Sequence, residues 1–216
     1  MKTKTLLIAA ATLAVGAISS QAQVYSQNIV GYVNVPVVTG YNLIANPLDD
    51  GTGNQLTNVM ASANLANKSS VQTWNVTVYN TAITKGASGW GGNTQLPPGT
   101  GFFVKNTGTL TTNTFTGTLP TSGSSVTNVI GVGYNLVSSI VPLAGDLTTD
   151  TNLNFSSATL ANKSSIQSWN TGGQVFNTAV TKGASGWGSA FNITVGQGFF
   201  VKSVNTAPTN WVQIVP

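Results

Sequence analysis

LANKSSVQTWN at residues 65–75 returns almost unchanged as LANKSSIQSWN at residues 160–170, and this echo decides how the chain folds. Self-similarity at a long fixed period marks an architecture assembled from copies of one unit. Working outward, GYNLIANPL (40–48) is answered by GYNLVSSIVPL (133–143), VYNTAITKGASGWG (78–91) by VFNTAVTKGASGWG (175–188), and PGTGFFVKN (98–106) by VGQGFFVKS (195–203). The offset between copies grows from 93 to 95 to 97 residues. The second copy therefore carries two short insertions, one just before Pro142 and one at Thr171-Gly172-Gly173, a turn-like stretch where loops tolerate extra residues.

Each copy reads as strands. GYNLIANP alternates apolar and polar residues and stops at a proline, SVQTWNVTVYNTA supplies two further β-rich runs, and GFFVK is a short apolar run after a Pro/Gly turn. Asp50-Gly51, Ser88-Gly89 and Pro98-Gly99 punctuate them, and only LTNVM (56–60) suggests a helical turn. The expected fold is all-β, with two tandem homologous β-sandwich-like modules at residues 23–120 and 121–216. The lead-ins QNIVGYVNV (27–35) and SSVTNVIGV (124–132) and the tails TFTGTLP (114–120) and NWVQIVP (210–216) open and close the copies. An unpaired apolar edge invites chain-to-chain pairing. The N-terminal strand is therefore expected to pair inside the fold, beside the C-terminal strand; self-association follows if both are left open.

Residues 1–22 read as an export signal: Lys2 and Lys4, an apolar run from Leu6 to Ile18, and a small-residue end at Ser20-Gln21-Ala22. The run is too short for a membrane span, and no later segment reaches the required length. The expected location is outside the cytoplasm, in the periplasm, at the cell surface or in the medium. The absence of cysteine excludes a disulfide framework, a thiolate metal site and a cysteine-linked lipid. Of eight lysines two belong to the signal, leaving six against four aspartates, with no Arg, Glu or His anywhere. The high isoelectric point thus reflects scarce charge, and it gives no nucleic-acid footprint. The six remaining lysines are repeat-matched (Lys68 with Lys163, Lys85 with Lys182, Lys105 with Lys202), which argues for a positional role, with stems lying along the edge of a core. The aspartates do not match: Asp49 and Asp50 follow the first GYNL segment directly, whereas Asp146 and Asp150 stand further along the second copy.

VYSQNIVGYVNV near the mature start, GYNLIANPL, a tryptophan segment and PGTGFFV together resemble an uncharacterised family of secreted proteins from Verrucomicrobia-type bacteria, over nearly the whole mature chain. The single modules are similar, more loosely, to small β-sandwich domains of secreted Bacteroidetes proteins. The resemblance implies export and a β-sandwich fold and leaves the activity open. Members of the family often carry an acidic residue in the turn before GFF, where this chain has Thr100 and Gln197.

The chemistry on offer is narrow. A Ser-His-Asp triad needs a histidine. Lys68 beside Ser69 and Lys163 beside Ser164 are adjacent, and neighbours on a strand face opposite ways, so a polar turn is the simpler reading. Asp49 and Asp50 form an adjacent pair before a glycine, which suits a turn better than the spaced carboxylates of a glycosidase. Asp150, Asn152 and Asn154 resemble the opening of a calcium loop without its glycine or closing glutamate. No catalytic residue, cofactor or metal is therefore expected. The candidate ligand-binding residues are Trp90 and Trp187, each set between glycines in KGASGWG, with Lys85 and Lys182 beside them. Two matched aromatic sites could hold a polysaccharide with avidity; the competing reading is that each tryptophan caps its own core. Trp74 and Trp169 are expected in the cores. One phenylalanine of each pair, Phe102-Phe103 and Phe199-Phe200, is free to bridge the modules or to meet another cell-surface protein. The expectation is a non-enzymatic structural or adhesive protein, with polysaccharide binding as the alternative.

Overall fold

A computed structural model of the chain describes residues 30–61 and 63–216; the expected export signal at residues 1–22 lies outside them. Two units follow one plan. In the first, β1 (Val30–Val37), β2 (Gly40–Ala45), β3 (Ser70–Gln72), β4 (Trp74–Asn75), β5 (Val78–Tyr79), β6 (Ile83–Gly86), β7 (Gly89–Trp90), β8 (Gly101–Asn106) and β9 (Thr111–Thr118) follow one another. In the second come β10 (Ser125–Ile130), β11 (Gly133–Val137), β12 (Gly145–Asp146), β13 (Ser165–Gln167), β14 (Trp169–Asn170), β15 (Val175–Phe176), β16 (Val180–Gly183), β17 (Gly186–Trp187), β18 (Asn192–Ile193), β19 (Phe199–Ser203) and β20 (Thr209–Ile214).

Each unit holds an antiparallel five-stranded sheet with the same strand order, β2-β8-β3-β6-β7 and β11-β19-β13-β16-β17. A two-stranded ribbon, β1–β9 or β10–β20, lies over one face of it. Alternation along the strands fills the space between. Val35 and Val37 of β1 and Phe115 of β9 meet Ile44, Val71, Phe102 and Val104 of the first sheet. Ile130 and Trp211 meet Val137, Ile166, Phe199 and Val201 in the second. The LTNVM segment forms the helical turn Leu56–Val59, and the second unit answers with a 3-10 turn at Phe155–Ala158 that nothing in its sequence announced. No helix among the described residues is long and apolar enough to cross a membrane.

The N-terminal strand is paired inside the fold, but with the tail of its own unit. Val30 to Val37 run antiparallel to Thr118 to Thr111, and the chain's last strand pairs with β10. Lead-in and tail of one unit flank a single core, so pairing them closes the shorter loop.

The opposite faces of the two sheets meet in a third cluster of Leu43, Phe103, Leu136 and Phe200. The junction is reciprocal. The Ala45 N–H donates to the Gly196 carbonyl (2.8 Å), and Ser138 N–H donates to the Gly99 carbonyl (3.0 Å), so each GYNL strand pairs with the turn preceding the other unit's GFF strand. Those turns cross at very close range. A Cβ on Gly198 would lie 2.9 Å from the Ile44 carbonyl oxygen and 3.2 Å from the Cα of Gly101. The glycine before each phenylalanine pair is therefore needed for backbone approach.

Candidate functional site

Trp90 and Trp187 end up on the edge strands β7 and β17, half-buried, each packed against its own unit's core. Trp187 tilts over Phe155 with ring centroids 5.6 Å apart. Lys85 and Lys182 stand directly across the hairpin from these rings, also half-buried. Their backbones do positional work: Lys68 N–H donates to the Lys85 carbonyl (2.8 Å) and Lys85 N–H to the Ser69 carbonyl (2.8 Å), with Lys163, Lys182 and Ser164 repeating the pattern. Lys68 is exposed, while the adjoining Ser69 is fully buried and its Oγ accepts from the Thr107 N–H (3.1 Å). Lysine and serine thus face apart, and the serine fastens the chain leaving β8.

Asp49, Asp50 and Asp150 serve their own loops, while Asp146 also holds the strand that pairs with it. The Asp50 carboxylate accepts from the Thr52 N–H (2.8 Å), the Asn54 N–H (2.8 Å) and the Thr52 hydroxyl (2.9 Å). Asp49 accepts from Gly51 N–H and from the Asn54 amide, as a turn requires. Asp150 accepts from Asn152 N–H and Leu153 N–H, while Asn154 sends its amide to the Val212 carbonyl. Partial burial pushes the Asp146 carboxyl up. The Phe191 and Thr148 N–H groups and the Thr148 and Thr149 hydroxyls outweigh that and hold it down at about 2.

The side chains on which both units converge are aromatic, and sequence reasoning placed two of them wrongly. Trp74 and Trp169, expected in the cores, ride on the hairpins β4–β5 and β14–β15 and reach across the junction. Trp74 Nε1 donates to the Tyr134 carbonyl (2.9 Å) and Trp169 Nε1 to the Tyr41 carbonyl (2.8 Å). A core tryptophan would have to find a partner inside its own unit; here the neighbouring unit's strand supplies it. The signal available in the sequence was the repeat itself, which keeps a polar-tipped aromatic next to an asparagine turn in both copies.

Around these indoles the rings interlock edge to face. Trp74 meets Tyr79 (4.8 Å) and Phe200 (5.3 Å), and Trp169 meets Phe176 (4.9 Å) and Phe103 (5.3 Å). Phe103 and Phe200 are the bridging members of their pairs, while Phe102 and Phe199 stay in the separate cores. The result is an exposed aromatic strip with two adjoining hollows of about 240 and 190 Å³ that share Tyr79 and Phe176. Tyr41 and Gln72 line the first, and Tyr134 and Gln167 the second. Lys105 lies over the Tyr41 ring at 5.5 Å and Lys202 over the Tyr134 ring at 5.4 Å, so a cation stands at either end. Burial raises the Tyr79 phenol above its ordinary value of 10.0. No carboxylate lines either hollow.

Compared with family models, curated proteins and solved structures, the chain matches none.

Proposed function

We propose that the protein is a non-enzymatic secreted or cell-surface protein of the structural or adhesive kind, a relative of the secreted bacterial family its motifs resemble. The observation that carries this reading is the aromatic strip, where an exposed, contiguous apolar surface is built from matched residues of both units. Exposed apolar patches of this kind mark interaction sites, and the reciprocal junction beneath it holds the rings in fixed relation. The repeat-matched residues support the same reading, because they form strand registers, the junction and the strip. The aspartates, the groups best suited to acid–base work, differ between copies and are engaged in loop turns.

Adhesion is tested by retention of the purified protein on intact bacterial cells and insoluble cell-surface material. Wild type is expected to sediment with it, and the Tyr79→Ala/Phe176→Ala variant to remain in solution. Equal retention of the two would remove the strip from the function. Polysaccharide binding through Trp90 and Trp187 is the second reading, favoured by their half-exposed rings opposite Lys85 and Lys182. Retention on polysaccharide that survives the strip variant but is lost in Trp90→Phe/Trp187→Phe would favour it.

A further inference from the structure

We infer that the aromatic strip binds an acidic polysaccharide, one pyranose ring per hollow, with Lys105 and Lys202 meeting the carboxylates of the glycan. The inference rests on the adhesive reading and names its ligand.

Four features of the site lead there. Tyr79, Phe176, Tyr41 and Tyr134 are 38, 39, 40 and 45 % exposed, so the rings are partly free to contact the apolar face of a sugar. Each hollow falls below the ~300 Å³ at which small-molecule pockets begin, and both open outward in a row. This suits a chain passing over the surface, held at two points, better than an enclosed small molecule. Gln72 and Gln167 tie their amide nitrogens to the Asn80 and Asn177 carbonyls (2.9 and 2.8 Å), which leaves the amide oxygens as acceptors for sugar hydroxyls. Charge then selects among glycans. The two ends carry lysines, and none of the four aspartates lines either hollow. Single-stranded nucleic acid also stacks on aromatics, but it presents a phosphate at every step and is held by a continuous basic groove. Two separate lysines and no arginine make no such groove; they suit a glycan whose carboxylates meet a cation only at the two ends of the strip.

The experiment is affinity electrophoresis and titration calorimetry of the full protein. The probes are polygalacturonate, alginate and hyaluronate, with methyl-esterified polygalacturonate as the uncharged counterpart and oligothymidylate as the nucleic-acid control. At least one acidic polymer is expected to bind, more weakly as salt rises, and its ester to bind less well. Lys105→Gln and Lys202→Gln should each weaken the acidic polymer about two- to five-fold, as an exposed charge pair does, and leave the ester unchanged. Tyr79→Ala/Phe176→Ala should abolish both, with unchanged circular dichroism showing that the fold persists. Equal affinity for acid and ester, insensitivity to both lysine changes, binding of oligothymidylate alone, or binding of no acidic polymer would each overturn the inference. If cells retain the protein while none of the acidic polymers binds, adhesion stands and the acidic ligand falls.

Discussion

The two units share a backbone plan yet fill their interiors in opposite order along the last strand. Thr111 of β9 pairs with Val37, and Thr209 of β20 pairs with Ile130, which aligns Asn113 with Trp211 and Phe115 with Gln213. All four side chains are buried. In the first unit the polar residue comes before the aromatic; in the second it comes after. One task survives the exchange: the Asn113 amide donates to the Val59 carbonyl, and the Trp211 indole donates to the Leu153 carbonyl, each fastening the strand to the helical turn region. The other task is new. The extra residues before Pro142 bring the Ile140 and Val141 N–H groups inward, and the Gln213 side-chain oxygen accepts both, together with the Ser139 hydroxyl. Gln213 Nε2 is left as a buried donor without a partner among the described residues, a cost accepted for satisfying the insertion. The lesson is that a shared strand plan fixes where strands lie, while core volume and polarity are redistributed wherever a loop changes length.

Forcing the first unit's pattern onto the second would break this comparison most severely. Trp211→Asn/Gln213→Phe opens a cavity of tryptophan size and orphans two N–H groups. The expected loss is about 3–5 kcal/mol or more in urea unfolding, and a loss below ~1 kcal/mol would show that the exchange is not tied to the insertion. Next comes the junction. Gly198→Ala drives a methyl group against the Ile44 carbonyl and should cost about 1–3 kcal/mol. Gly101→Ala meets the Leu136 side chain, which can shift, and the Val137 carbonyl oxygen at 3.1 Å, slightly farther than the 2.9 Å at Gly198, and should cost somewhat less.

A finer difference is expected between the crossing indoles. Trp74→Phe and Trp169→Phe each delete one hydrogen bond, worth about 0.5–1.5 kcal/mol. The second should be milder, because Gln174 Nε2 also donates to the Tyr41 carbonyl (3.1 Å) and Gln174 Oε1 accepts the Tyr41 N–H. Equal losses, read from melting curves of the two variants, would mean that Gln174 does not share the load. The smallest effect is in acid. Asp146 pairs with Asn192 at the place Gln55 pairs with Gln95 in the first unit, so this acid is particular to the second. Its carboxyl is held at about 2, below the ordinary 3.8, so its stabilisation is complete above pH ~4 and fades as pH falls toward 2. Asp146→Asn should therefore melt below wild type at neutral pH, with the gap closing by pH 2. A gap independent of pH would assign the effect to shape instead of charge.

Much of this was visible in the letters. GYNL and GFFVK read as strands and became β2, β8, β11 and β19, because alternating apolar residues between turn residues leave few other ways to bury a face. The phenylalanine pairs read as two-faced and are so. The strip was legible only in part: Trp74, Trp169 and the phenylalanine pairs stand out in the sequence, Tyr41, Tyr79, Tyr134 and Phe176 do not, and Trp90 and Trp187 stand out more because their setting between glycines is identical in both copies. That identity reflects a tight hairpin on a core edge. The insertion at Thr171-Gly172-Gly173 looked like slack in a turn; it carries Gln174 to the neighbouring unit's Tyr41.

The sequence by itself determined an all-β chain in two matched units, since strand periodicity and turn residues are local properties that each copy states twice. Tertiary structure decided which strands close each unit, that Trp74 and Trp169 reach across the junction, and that rings far apart in sequence form one strip with a lysine at each end. Those outcomes depend on how two sheet faces meet. The contact is made between residues far apart in the chain, such as Ala45 with Gly196 and Trp169 with Tyr41, and no local pattern encodes the angle at which the copies cross.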